Sequence, residues 1–237
     1  YRLYQDLNPM FKLTGSRCGL KKYAMVDLAI LDSNGKKLPY GSIGRLVVKT
    51  PTAMKQYKNN PVATNNFYIK DASGDTWTDC NVYAFIDKQG TTEIYERIGK
   101  ELELENGTKL PLFYIGKEVE KDTKHILSYE VVNLNNTIVI HIELQPGVKN
   151  NIPKILMGIE NRIAKKYGID VLNRIVYKIR TFEEGFVGTH CEKRNYNVLV
   201  REGIDDRCIK PILENEEIKL ISADEYFNGK AKQKIFK

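Results

Sequence analysis

The chain is poor in the residues that build metal or disulfide frameworks. Its four cysteines, Cys18, Cys80, Cys191 and Cys208, stand far apart with no C-x-x-C pair, and its three histidines, His125, His141 and His190, are equally scattered. This spacing excludes a structural zinc site and leaves no metal ligands to nominate. The thiols are read as reduced, which suits a cytoplasmic protein. No apolar run approaches the ~18 residues of a membrane-spanning helix. The longest β-like run, Ile138-Val139-Ile140-His141-Ile142, has only a strand's length. Tyr1-Arg2-Leu3-Tyr4-Gln5-Asp6 lacks the basic, apolar and small-residue regions of a signal peptide. An initiator Met is also absent, so the chain is expected to start inside a longer protein. Glycine-rich phosphate loops of the Walker or Rossmann type, a G-x-S-x-G elbow and an H-E-x-x-H pair are all missing. Spacing alone therefore identifies no reaction.

What is present describes a folded protein. The 237 residues are 42% hydrophobic and 28% charged, a composition that rules out wholesale disorder and leaves room for one or two domains. Lys and Arg outnumber Asp and Glu by 37 to 30, but the signs are mixed almost everywhere, as on a solvated surface. The exception is Lys230-Ala231-Lys232-Gln233-Lys234-Ile235-Phe236-Lys237. It is read as a solubilising tail in preference to a nucleic-acid or membrane-surface arm. Fourteen tyrosines form no stripe interleaved with basic residues, so no nucleic-acid partner is expected.

Residues 23–96 read as β-rich. Ala24 to Leu31 is a buried strand closed by the turn Asp32-Ser33-Asn34-Gly35, and Gly44 to Lys49 is a second, stopped by Pro51. Pro61 to Phe67 is one short helix with Asn60 as cap. Val82 to Ile86 and Thr92 to Glu96 flank Asp87-Lys88-Gln89-Gly90 as a hairpin. The pattern changes after Arg97. Leu102 to Glu105 runs into an Asn106-Gly107 turn, a short helix is expected over 115–127, and strands 129–134 and 137–144 flank Asn135-Asn136. Pro153 to Tyr167 carries an apolar stripe of Ile155, Leu156, Ile159, Ile163 and Ala164 and ends at Gly168, which makes it the clearest helix. Val171 to Ile179 is a further strand. The expected fold class is α+β: a β-rich subdomain over 1–97, then a small unit over 98–202 with a three-stranded sheet and helices on one face. Residues 203–237 are left as an extra basic tail, in which Glu214 to Ile221 could add a strand or helix.

A resemblance supplies the chemistry. Gly41-Ser42-Ile43-Gly44-Arg45-Leu46-Val47-Val48-Lys49 and the continuation through Tyr57-Lys58-Asn59-Asn60-Pro61-Val62-Ala63-Thr64 resemble the GEIGELxV…GYxNNPEAT segment of adenylate-forming enzymes. That superfamily comprises acyl-CoA synthetases, nonribosomal peptide synthetase adenylation domains and luciferases. Gly15 to Leu20 and Asp32 to Pro39 are similar to the stretch upstream of it, and Trp77 to the tryptophan downstream. The resemblance covers most of residues 15–200 and implies the C-terminal portion of such an enzyme.

The resemblance also names site residues. Aligned without gaps, the family's ribose-binding Asp falls on Val82, which cannot accept a hydroxyl hydrogen bond. Asp79 substitutes only if the loop shifts register by three residues. Glu96-Arg97-Ile98-Gly99-Lys100-Glu101-Leu102 resembles the hinge motif. Arg97 would contact the nucleotide, and Gly99 or Lys100 would be the residue about which a small domain swings. Thr189-His190-Cys191-Glu192-Lys193 resembles the family's lysine loop without its Pro and Gly, so Lys193 is the implied catalytic lysine and Lys230 its rival.

The implied activity is ATP-dependent, AMP-forming activation of a carboxylic acid and transfer to a thiol, either coenzyme A or the phosphopantetheine arm of a carrier protein, with Mg²⁺ on the phosphates. The implied partners are the acid, the N-terminal portion of the same enzyme and a carrier protein. The chain alone is expected to be inactive. The alternative is a degenerate relative that binds a partner without adenylation.

Overall fold

A computed structural model describes residues 26–148, 151–180, 186 and 195–229, and the backbone of 16–18. The chain divides into two compact units, the first ending at Gly99 and the second starting at Lys100.

The first unit is an antiparallel sheet. Its strands are β1 (Ser16–Cys18), β2 (Asp27–Leu31), β3 (Ile43–Lys49), β4 (Tyr68–Lys70), β5 (Thr76–Ile86) and β6 (Thr92–Arg97). They lie in the order β1-β6-β5-β3-β2, with β4 also paired to β5. Alternation along the strands sends Ile30, Leu46, Ala84 and Ile86 to one apolar cluster and Leu31, Val47 and Trp77 to another. Helix α1 (Pro61–Phe67) starts as expected: Asn60 Oδ1 accepts from Ala63 N, and Pro61 takes the first turn, where its missing N–H costs nothing. Gly44 is required by packing. A Cβ there would lie 2.5 Å from Leu31 O, so β2 and β3 could not approach. Strand β5 is longer than expected because a bulge joins two runs into one element.

The second unit holds a hairpin, β7 (Glu101–Glu103) with β8 (Lys109–Pro111), and a five-stranded sheet. The sheet order is β13-β12-β11-β10-β9, built from β9 (Ile126–Leu134), β10 (Thr137–Leu144), β11 (Ile175–Arg180), β12 (Cys208–Glu214) and β13 (Glu217–Ser222). Three strands were expected; residues 208–222 supply the other two. Their turn, Asn215 and Glu216, has φ of 50° and 68°, the same left-handed pair as Asn135 and Asn136 in the β9–β10 hairpin.

Helix α2 (Leu112–Glu120) begins three residues before the expected start, directly after Pro111. Helix α3 (Ile152–Tyr167) carries the crossover between the parallel strands β10 and β11, and α4 (Ile169–Leu172) follows it. The α3 stripe packs with Ile138, Ile140, Ile142, Ile175 and Tyr177 in the main core. The opposite face is also covered, by α5 (Tyr196–Glu202) and by α6 (Ala223–Asn228), whose Ala223 packs on Val139, Val176 and Cys208. Helices on one face only were expected. On that second face Lys178 and Arg180 of β11 pair with Glu202 of α5. No helix of the described residues is long and apolar enough to cross a membrane.

Candidate functional site

The bulge in β5 builds the site of the first unit. From Arg45 to Val47 strand β3 advances two residues, while β5 runs from Tyr83 back to Asp79, four residues. The surplus is absorbed at Asn81, whose φ is 53°, a left-handed value that Asn tolerates better than most residues. Side chains alternate along β5, so Asp79 and Val82, three residues apart, face opposite ways. Val82 packs with the Ile30, Leu46, Ala84 and Ile86 cluster. Asp79 instead faces Arg45, whose Nη1 donates to Asp79 Oδ2 at 2.6 Å, and Asn81 N donates to Asp79 Oδ1 at 2.8 Å. The Asp79 side chain is 8% exposed and borders an open cavity of about 660 Å³, together with Arg45, Tyr57, Asn65, Asn66 and Tyr68. Tyr68 is held from behind by its hydroxyl, which donates to Met54 O.

Asn81 O accepts from Ile98 N at 3.1 Å, so the bulge is tied to the strand end that leads to residue 99. Arg97 is the exposed last residue of β6 and pairs across from Val82. Gly99 has φ 101°, a backbone state that disfavours any side chain. Lys100 lies on the other side of the division. Its Nζ is 3.6 Å from Glu130 Oε1 and 3.7 Å from the centre of the Tyr196 ring. Lys193, Thr189 and Lys230 lie outside the described residues. Among the described residues no three or more His, Cys, Asp or Glu side chains are grouped to hold a metal ion. Cys80 and Cys208 are free thiols there.

A second polar cluster went unnoticed in the sequence. His141, Lys178 and Glu130 stand side by side across β10, β11 and β9. The Lys178 side chain is 1% exposed, and its Nζ meets Asp205 Oδ2 at 2.6 Å and Glu202 Oε2 at 3.1 Å. Arg180 Nη2 also pairs with Glu202 Oε2. Burial alone would raise the Glu202 carboxyl, but the hydrogen bonds from Arg180 and Lys178 prevail and hold it at about 2. Burial, reinforced by Arg180, pulls His141 down to about 4. The available signal was a Lys and an Arg two apart in the otherwise apolar Ile175-Val176-Tyr177-Lys178-Ile179-Arg180, which put two cations on one sheet face.

No protein-family model matches the chain. Solved structures do. ATP-bound MatB from Rhodopseudomonas palustris is 20% identical with a TM-score of 0.57, over 75% of this chain and 34% of that one. The amide bond synthetase McbA from Marinactinospora thermotolerans is 16% identical with a TM-score of 0.58, over 76% and 35%. An ATP-bound RpMatB-BxBclM chimera is 18% identical with a TM-score of 0.60, over 76% and 34%. The chain has the fold of the C-terminal portion of the adenylate-forming enzymes. It spans about a third of the length of the structures it matches. In this adenylate-forming fold the β-rich unit carries Asp79 and Arg97, and the α+β unit begins at Lys100.

Proposed function

We propose that this chain is the C-terminal part of an ATP-dependent, AMP-forming acid ligase. The acid's carboxylate attacks the α-phosphate of ATP, giving acyl-adenylate and pyrophosphate, and a thiol then takes the acyl group and releases AMP. The acceptor thiol belongs to coenzyme A or to the phosphopantetheine of a carrier protein. The observation that carries the reading is the adenylate-forming fold, with a nearly buried carboxylate, Asp79, at the edge of an open polar cavity.

A carboxylate has about four lone-pair sites. Arg45 and Asn81 N–H occupy one oxygen each, which leaves capacity for ribose hydroxyls. In this reading Asp79 holds the ribose, and Arg97 reaches the ribose or phosphate. Lys193 neutralises charge that crowds the bridging oxygens, as a mobile ammonium does well. Gly99 and Lys100 are the hinge. The described residues form no cage for Mg²⁺, which would be carried by the nucleotide's phosphates.

The alternative, a binding module without adenylation, draws support from Val82, whose side chain lies against apolar neighbours where the ungapped alignment calls for the ribose-binding Asp. One experiment separates the two. The complete protein is assayed for carboxylate-dependent ATP–pyrophosphate exchange with a panel of acids, against Lys193→Ala and Asp79→Ala. The ligase reading expects exchange that falls by about two to three orders of magnitude in Lys193→Ala. Exchange indifferent to both substitutions would overturn these site assignments, and no exchange with any acid would favour the binding module.

A further inference from the structure

Helix α3 turns a face of one charge sign outward. Its charged residues are Lys154, Glu160, Arg162, Lys165 and Lys166. The only acid, Glu160, points into the core, where Lys210 Nζ meets it at 2.6 Å. The residues left outside are cations, with no carboxylate of the helix among them. A solvated helix face ordinarily mixes the two signs, so that pairs three and four apart help to hold it. Lys154, Gly158, Asn161 and Lys165 follow one another at such spacings and make one stripe about 16 Å long. Lys154 and Lys165 are exposed and form no ion pair among the described residues.

The stripe contains two features that work against the helix. Lys154 stands in the first turn, which holds no acidic residue, and there the macrodipole disfavours a cation. Gly158 stands mid-helix, where only proline is worse. No neighbour requires the glycine. A Cβ there would meet one group within 4 Å, the end of the flexible Arg162 side chain, with Nη1 at an ordinary 3.7 Å. Lys165 and Lys166, by contrast, sit in the last turn, where the dipole favours them.

Arg162 is held beside this notch. Its Nε donates to Glu118 O of α2 at 3.0 Å. The Glu118 carboxylate, 1% exposed, pairs with both Lys121 and Lys166. Cations outnumber the one acid they surround, so positive charge is in excess on the flank of the stripe as well as along it.

We propose that the outward face of α3 docks an acidic helix of a partner protein, which crosses at Gly158 and sets its carboxylates against Lys154, Arg162 and Lys165. Glycine removes the side chain that would keep two helix axes at the usual separation of about 8–10 Å. The cations along the stripe select the sign of the partner and fix its register. A polyanion read by charge alone would not need the notch. This surface is independent of the ligase reading and does not fall with it.

The complete protein is titrated with a labelled alanine-rich peptide of about twenty residues that carries glutamate along one helical face. The same peptide with glutamine, and a DNA duplex of equal negative charge, serve as controls. The glutamate peptide is expected to bind about ten-fold or more tighter than the glutamine peptide, and tighter than the duplex. Lys154→Gln with Lys165→Gln should weaken it about ten-fold. Gly158→Gln should weaken it as much while raising the melting temperature, because glutamine suits a helix interior and glycine does not. Binding that needs the lysines but ignores Gly158→Gln would be adsorption by charge and would overturn the docking. Tighter binding of the duplex would overturn the partner class. Equal binding of the two peptides would overturn both. Should Gly158→Gln fail to fold, Gly158→Ala takes its place, with a loss of about three-fold or more expected and indifference again overturning the docking.

Discussion

Arg180 Nη2 lies 3.3 Å from His141 Nδ1 inside the second unit. A guanidinium has no acceptor, so Nδ1 must accept and the ring's proton sits on Nε2. Nε2 is buried and has no hydrogen-bond partner among the described residues. His141 is thus a neutral ring held beside a cation, and protonation would place two positive groups together.

This arrangement predicts acid sensitivity. The folded His141 titrates at about 4, against 6.5 for the free side chain. The unfolded chain therefore takes up this proton first as pH falls. The stabilisation is complete above pH 6.5 and is lost down to about pH 4. Glu202, at about 2 against 4.5, adds a second loss at lower pH, from about 4.5 downward. The His141 shift corresponds to about 3 kcal/mol at full expression, and the partly exposed Glu202, screened by solvent, contributes less. Denaturant titrations between pH 7 and pH 4 should show stability falling, and His141→Leu should flatten the slope between pH 6.5 and pH 4.5. A slope unaffected by the substitution would refute the assignment.

The buried pair Lys210–Glu160 makes a different prediction. Lys210 Nζ lies 2.6 Å from Glu160 Oε1 and also donates to Leu172 O at 2.8 Å and Ile175 O at 2.9 Å. Removing one partner strands the other charge in the core. Lys210→Met should therefore cost about 3–5 kcal/mol, whereas Lys210→Met with Glu160→Leu should recover most of the loss. Chemical denaturation of the single and double variants measures this. Equal losses in both would show that the pair's charges matter less than its packing.

Val82→Asp should not create a nucleotide contact. The new carboxylate would lie against Ile30, Leu46, Ala84 and Ile86, at a cost of at least about 2 kcal/mol. Asp79→Ala leaves that cluster untouched and should weaken ATP binding by the complete protein. Calorimetric titration of the two variants with ATP distinguishes them: a gain of affinity in Val82→Asp would argue against the orientation described.

Gly99→Ala meets no neighbouring atom within 4 Å, so its effect is purely conformational. Forcing a side chain into φ 101° should cost about 1 kcal/mol and shift the backbone toward negative φ. If Gly99 is the hinge, the complete protein should show adenylation and thiol transfer altered unequally. Equal changes in the two half-reactions would speak against it.

Several elements were legible in the sequence. The period-3.6 stripe of Ile155, Leu156, Ile159 and Ile163 specified α3, with Pro153 and Gly168 marking its ends. Asn60 and Pro61 specified α1, Asp87-Lys88-Gln89-Gly90 and Asn135-Asn136 placed two hairpins, and Asp32-Ser33-Asn34-Gly35 placed the turn after β2. These are local signals, carried by neighbours within a few residues. The β-rich to α+β change near residue 97 was visible for the same reason. Strand count was not. Residues 208–222 join the sheet through a two-residue antiparallel pairing, Tyr177 with Ile209 and Lys178 with Cys208, that no local pattern announces.

The main helix, the capped short helix and the hairpin turns were thus determined by the residues themselves, because caps, turns and periodicity act over short distances. Which carboxylate faces the cavity was decided by tertiary structure. Asp79 meets Arg45 of β3, 34 positions away in the sequence, and only the pairing of β3 with β5 brings the two together. The Lys178–Arg180–Glu202 cluster has the same origin. Its members lie on a strand and a helix separated by fifteen residues or more, and only folding brings their charges within reach of one another.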